Sequence, residues 1–293
     1  MKVLFVHAHF DDYEFTAAGL FEIWRRKLGR DFSARVLVCT DGRAGHHLLT
    51  TAETTKTRIA EQEASAEIGQ YDFQSLILPD GSLPREACLL VTRPLLAALW
   101  KAIREFEPDY LFCPPLPSDP LAGVHVDHVS VAEAVRKVAY MINVPHAFLE
   151  EYPSEEQNPR PCKVPVILNT YDAYMAGANH PDFTVDVEEA FDAVCQMTWC
   201  HQSQIMEWLP WVGRHQMDPP ESFEKWREIL RDRFSRQNRE LGLGGHRATE
   251  AFLITAWGEV PGKEKIERDF PNIHHDSSHF QNLSRFSKAH HGE

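Results

Sequence analysis

Two short stretches concentrate side chains that can do chemistry. The first is His7-Ala8-His9-Phe10-Asp11-Asp12-Tyr13-Glu14. Histidine beside two adjacent carboxylates is a costly grouping, because like charges at that spacing need a cation or a shared proton. His9 and Asp12 are three residues apart, so both can face one point where the chain turns into a helix. Asp11 then points elsewhere, near that point but not on it. The second stretch is His125-Val126-Asp127-His128, with its histidines again three apart. Asp127 is placed to orient one imidazole from behind. Taken singly, each stretch has a plainer reading. Asp11 or Asp12 would cap the helix that follows, and Asp127 would be a capping residue between two surface histidines. Taken together, two imidazoles and one carboxylate make a three-ligand set with room for water, the pattern of catalytic zinc.

The elements that would bring the stretches together are an alternation of strands and helices. Lys2–His7 reads as a buried strand, followed by a helix over Phe15–Arg30. A second strand is expected over Arg35–Thr40, a helix over Ala52–Gly69 with Gly69 as its C′ residue, and a short strand at Leu76–Leu78. Arg85–Phe106 reads as mostly helical, with Pro94 either a kink or the first turn of a fresh helix. Asp109–Cys113 gives a fourth strand and Asp127–Met141 another helix. Apolar strands separated by helices indicate an α/β, Rossmann-like fold with a mostly parallel sheet covered on both faces. Both stretches then fall at the carboxyl edge of the strands, where open α/β sheets bind ligands.

Beyond about residue 145 the pattern is less regular. Strands are expected at Val164–Tyr171 and Phe183–Val187, helices at Val187–Trp208 and Ser222–Glu240. Four of the seven tryptophans fall between 199 and 226, as core or as the cap of a pocket. The polar, histidine-rich tail from 272 reads as loosely held. No repeat or clean boundary interrupts residues 1–293, so one domain is expected.

Composition narrows the function classes. Thirty Lys and Arg against 43 Asp and Glu give a net charge of −13, which disfavours nucleic-acid partners and anionic membranes. No apolar run approaches the roughly 18 residues of a membrane span. Six cysteines without a Cys-x-x-Cys pair fit a reducing cytoplasm, with Cys39, Cys88 and Cys113 read as buried thiols. A small-molecule substrate is expected, and a homo-oligomer is left open.

The residues resemble the PIG-L/LmbE family of zinc-dependent N-deacetylases. Its first motif, Ala-His-Pro-Asp-Asp followed closely by Glu, is here Ala8-His9-Phe10-Asp11-Asp12-Tyr13-Glu14, and its His-Pro-Asp-His is His125-Val126-Asp127-His128. Thr40-Asp41-Gly42 with Gly45, Arg58-x-x-Glu61, Pro79-Asp80-Gly81, Val185-Asp186, His201-Gln202-Ser203-Gln204 and Glu250-Ala251-Phe252 resemble further motifs, in order. The resemblance implies that His9, Asp12 and His128 bind one Zn²⁺ per chain, for which other divalent ions can substitute. It implies Asp11 as general base and His125 as the residue that supports the tetrahedral intermediate or protonates the leaving amine. Arg58 and Asp80 match positions that hold sugar hydroxyls, and Asp127 stands behind the ligands. The implied reaction removes an N-acetyl or N-acyl group from an amino-sugar-type substrate, leaving a carboxylate and a primary amine.

Departures from the family pattern are local. Phe10 and Val126 replace both motif prolines, Arg43 stands where Glu is usual, and Val124 precedes His125 where some relatives carry an assisting Tyr. Two other functions share these residues. His9-x-Asp11 with a distant His also satisfies the facial triad of non-haem iron oxygenases, and a sugar-binding relative without turnover would keep the same motifs.

Overall fold

The computed structural model describes residues 1–157, 159–213 and 217–291. Its centre is β1 (Lys2–His7), buried from its second residue onward. Alternation along the strand sends Val3 and Phe5 into one core layer and Leu4 and Val6 into the other. β2 (Ser33–Val38), β3 (Asp72–Ser75), β4 (Tyr110–Cys113) and β5 (Val166–Thr170) join it in parallel. β6 (Phe183–Asp186) and β7 (Thr249–Ile254) complete a seven-stranded sheet in the order β3-β2-β1-β4-β5-β7-β6, with β7 antiparallel to both neighbours. The chain leaves β1 toward β2 and β3, then returns to the other side of β1 to form β4. The crevice at that switch point opens between the ends of β1 and β4.

Helices cover both faces. The expected helix after β1 is two: α1 (Asp12–Thr16) and α2 (Ala18–Leu28), broken at Ala17. The break has a cause in the tertiary structure. The buried Glu250 of β7 accepts the first free N–H groups of α2, from Gly19 at 2.7 Å and Leu20 at 2.9 Å. α3 (Thr51–Gly69) starts on a capping box of Thr50 and Glu53. Its left-handed terminal residue is Gln70 rather than Gly69. Gly69 is required for close approach instead, since a Cβ there would meet Met197 and Tyr71 at 2.7 Å. α4 (Arg93–Phe106) begins afresh with Pro94 in its first turn, so residues 85–92 are not helical. α5 (Val126–Met141) follows β4 and packs beside α4.

The later segments depart further from the sequence reading. The expected helix over Val187–Trp208 is α6 (Phe191–Trp199) and then a π-helix at Ser203–Trp208 that runs into α7 (Leu209–Val212). α8 (Phe223–Glu240) is as expected. β3 lies before Leu76–Leu78, because an edge strand paired on one side does not need an apolar run. β7 has no alternation in its sequence, being buried on both faces. α9 (Lys263–Asp269) and α10 (Gln281–His291) close the chain. The tail is anchored rather than loose: Ile273 bridges Val185, and Phe280 and Leu283 are buried in the core. Cys88 is exposed, unlike Cys39 and Cys113. Trp226 is core, whereas Trp211 is exposed and stacks on His47. No helix among the described residues is long and apolar enough to cross a membrane.

Candidate active site

The end of β1 and the start of α5 meet at a cavity of about 590 Å³. His9 and Asp12 enter it from the β1–α1 turn, and His125 and His128 from the first turn of α5. His9 Nδ1 lies 3.1 Å from His128 Nε2 and 3.3 Å from Asp12 Oδ2, and Asp12 Oδ1 lies 3.5 Å from His128 Nε2. Three donors around a tetrahedral ion at about 2.0–2.1 Å would stand about 3.3–3.4 Å apart. The two Asp12 contacts are made by different carboxylate oxygens, so the His9 and His128 nitrogens stand at the spacing of two ligands of one small ion, with the Asp12 carboxylate beside them. A ring nitrogen of His125 lies within 4.8 Å of those of His9 and His128, and His7, Asp12 and His128 form an overlapping set at the same limit.

The imidazoles of His9 and His128 are each aimed by a carboxylate on the far nitrogen. His9 Nε2 is 3.1 Å from Asp127 Oδ2, and His128 Nδ1 is 2.9 Å from Asp172 Oδ2. Asp127 is itself fixed by the backbone N–H groups of Ala87 and Leu89. It is therefore not the helix cap, a place taken by His125, whose Nδ1 accepts from the Asp127 backbone. His7 Nδ1 holds Asp12 Oδ2 at 2.5 Å, so this buried histidine serves the site through a carboxylate. Burial opposes a charge on Asp12, but His7, His128 and His9 hold its carboxyl well below the usual range. Burial also pushes His9 and His128 down; the surrounding carboxylates outweigh it and raise them to about 10 and about 9. A metal bound by these nitrogens would displace those protons. His125 has no such partner, and burial with its two neighbouring imidazoles pushes it down to about 4.

Asp11 is held apart from this triangle. Its φ of 91° is left-handed, a costly conformation for a residue with a Cβ. No side-chain cap bond forms at α1, so helix capping does not account for Asp11. Its N–H donates to Gln62 Oε1, and its carboxylate meets Arg58 at 3.0 Å. Burial raises Asp11 to about 6, against the pull of Arg58. Arg58 also donates to Glu61 and to the Phe10 carbonyl, and Glu61 accepts from Ser203 N and Oγ. Arg58 thus lines the cavity with its guanidinium already committed. Asp80 is not brought to the cavity: it sits on an exposed turn with its carboxylate on Ser82.

Several residues at the site carry no signal in the local sequence. Asp172 follows β5, and its position at the strand's carboxyl end was the available clue. Glu86 accepts from Ala44 and Gly45 and lines the cavity, beside the loop where Arg43 instead pairs with Asp41. Tyr174 lies against the rings of His125 and His128. Arg233 and Arg236 reach the wall from α8, and Trp208 and Trp226 line it too.

Comparison with known proteins follows this geometry. No curated protein sequence matches the chain. Among solved structures, the chain is similar to N,N'-diacetylchitobiose deacetylase from Pyrococcus horikoshii, at 21% identity over 87% of this chain and 84% of that one, with a TM-score of 0.65. It is similar to GalB, the 4-carboxy-2-hydroxymuconate hydratase from Pseudomonas putida, at 15% identity over 87% and 95% of the two chains, with a TM-score of 0.60. It also resembles the A40926 pseudoaglycone deacetylase Dbv21, at 16% identity over 88% and 98%, with a TM-score of 0.54. At these identities the likenesses establish the LmbE-like fold, which hosts more than one reaction. Residues 4–139 match the PIG-L (GlcNAc-PI de-N-acetylase) model. That segment holds both histidine–aspartate stretches.

Proposed function

We propose that the chain is a zinc-dependent N-deacetylase acting on an amino-sugar-type substrate, with one ion held by His9, Asp12 and His128. The observation that carries this reading is the convergence of His9, Asp12 and His128, with the two imidazole nitrogens 3.1 Å apart and the Asp12 carboxylate beside both, next to the separately held Asp11. The match of residues 4–139 to the PIG-L model and the deacetylase structural neighbours support it. When bound, the ion supplies Lewis acidity that polarises an amide carbonyl and acidifies water.

The chain's own residues do the rest. Asp11 accepts a proton from the attacking water, which adds to the carbonyl carbon. Arg58 keeps the Asp11 carboxylate aimed and away from the ligand set. His125 enters neutral; because Nδ1 accepts from the backbone, its proton sits on Nε2. That N–H is available to the oxygen that gains charge as the carbonyl is attacked. The C–N bond then breaks, and the proton on Asp11 leaves with the amine. Asp127 and Asp172 hold the two imidazoles in the tautomers that leave their facing nitrogens unprotonated for metal. The six free cysteines fit a reducing compartment, and we place the protein in the cytoplasm.

The test is acetate release from a panel of N-acetylated sugars and sugar conjugates by the zinc-loaded protein, with Asp12→Ala as control. Turnover that follows zinc content supports the reading. Activity that instead requires iron and an oxo acid would replace it with the oxygenase, and sugar binding without acetate release would mark a non-catalytic relative.

A further inference from the structure

Helix α8 turns one stripe toward the cavity. Trp226, Ile229, Leu230, Arg233 and Arg236 recur at three- and four-residue spacing, and all five line it. The stripe is apolar as far as Leu230 and cationic beyond. Two other arginines of the same helix are paired, Arg227 with Asp192 at 2.6 Å and Arg231 with Glu188 at 2.6 Å, and Arg239 is exposed and outside the cavity. Arg233 and Arg236 have no carboxylate within 4.0 Å among the described residues. The Arg233 guanidinium lies 4.6 Å over the ring of Phe15, another cavity residue, which fixes where its fork is presented. Tyr171, on the same wall, has its hydroxyl committed to Glu240 at 2.6 Å.

This arrangement is uneconomical for an empty pocket. Two guanidinium groups on one wall repel, and the half-burial of Arg233 removes part of the water that would screen it, while Arg236 stays exposed. Burial, together with Arg236, holds Arg233 below its ordinary range, although Tyr171, Asp11 and Tyr174 pull the other way. A chain with thirteen more acidic than basic side chains does not lack carboxylates with which to pair them. The missing counter-charge is one that a ligand would bring, and the planar guanidinium fork suits the paired oxygens of a carboxylate or phosphate.

We infer that the substrate carries an oxyanion, carboxylate or phosphate, gripped by Arg233 and Arg236 while its N-acyl group lies at the His9–Asp12–His128 cluster. The placement of the acyl group rests on the function proposed above; the oxyanion site itself does not. Ile229, the half-buried residue of the apolar length, faces the part of the substrate beside the anion. Neutral amino sugars then bind as truncated ligands.

Calorimetric titration of the zinc-loaded protein tests this with N-acetylglucosamine, N-acetylmuramic acid and N-acetylglucosamine 6-phosphate. At least one acid should bind about 10- to 100-fold more tightly than the neutral sugar, the scale of charge-assisted contacts, and the stronger one identifies carboxylate or phosphate. In Arg233→Gln/Arg236→Gln the advantage should collapse to about twofold, and Arg233→Lys/Arg236→Lys should restore part of it. Equal or absent binding of acids and neutral sugar by the wild type overturns the inference, whether or not the double variant folds. So does an advantage that survives the double Gln substitution. Acetate release is scored in parallel. Arginine-dependent acid binding without release would sink the deacetylase reading and leave the oxyanion site standing.

Discussion

Asp172→Asn is the perturbation that best isolates what the tertiary structure adds to the metal site. Asp172 is buried; Oδ2 accepts from His128 Nδ1 at 2.9 Å and Oδ1 accepts from Tyr174 N at 2.9 Å. Two donors therefore face two acceptors. An amide offers one acceptor and one donor, so neither orientation of Asn satisfies both. If the amide nitrogen faces His128, the imidazole must move its proton to Nε2, the atom that looks at His9 and Asp12. If the amide is flipped, the Tyr174 N–H loses its partner and the 171–182 segment loosens. A buried polar group left unpaired costs about 1–3 kcal/mol, which is roughly a 5- to 150-fold change in an equilibrium constant. Zinc affinity should thus fall about 10- to 100-fold, in the range seen when a group behind a metal-bound histidine is removed. The assay is competition for zinc against a chromophoric chelator, with kcat measured again at saturating metal. Most of the kcat should return there, because the ligands and Asp11 are intact. Zinc affinity within twofold of wild type would refute the tautomer argument and the role given to Asp172.

Other outcomes test the remaining parts. Chelation should abolish acetate release and zinc restore it; at free zinc 100 times its Kd, the metal should add about 2.7 kcal/mol to folding stability, measured by denaturation with and without metal. Asp11→Asn should keep zinc bound, by metal analysis, while kcat falls about 10²- to 10⁴-fold; near-normal turnover would remove Asp11 as the base. Burial raises Glu250 to about 8, so its folded form keeps a proton that the unfolded form releases near 4.5. Its contribution to stability is full below about pH 4.5 and declines as pH rises toward 8. Glu250→Gln, which loses one acceptor for the α2 N–H groups, should be about 1 kcal/mol less stable than wild type at pH 5. That deficit should shrink or reverse by pH 8 in urea titrations, and a deficit that does not change with pH would contradict the assignment.

The sequence by itself determined what depends on neighbours along the chain. Continuous apolar runs in Lys2–His7 and Asp109–Cys113 marked the central strands, because a strand covered on both faces has no polar alternation. The three-residue spacings in His9–Asp12 and His125–His128 marked two half-sites, because a helical turn brings such pairs together. Family resemblance joined the halves, but it could not supply their geometry. His9 and His128 meet across 119 residues, and Asp172 reaches His128 across 44, only because β1, β4 and β5 lie side by side in the sheet. The same sheet order ends β3 early and leaves Asp80 on an exposed turn. Packing decided the rest. The break before α2 depends on Glu250, 230 residues away, and nothing local distinguishes the unpaired Arg233 and Arg236 from the paired Arg227 and Arg231. A side chain's partners are fixed by which surfaces the core brings together, and that information is spread over the whole chain rather than held in any one motif.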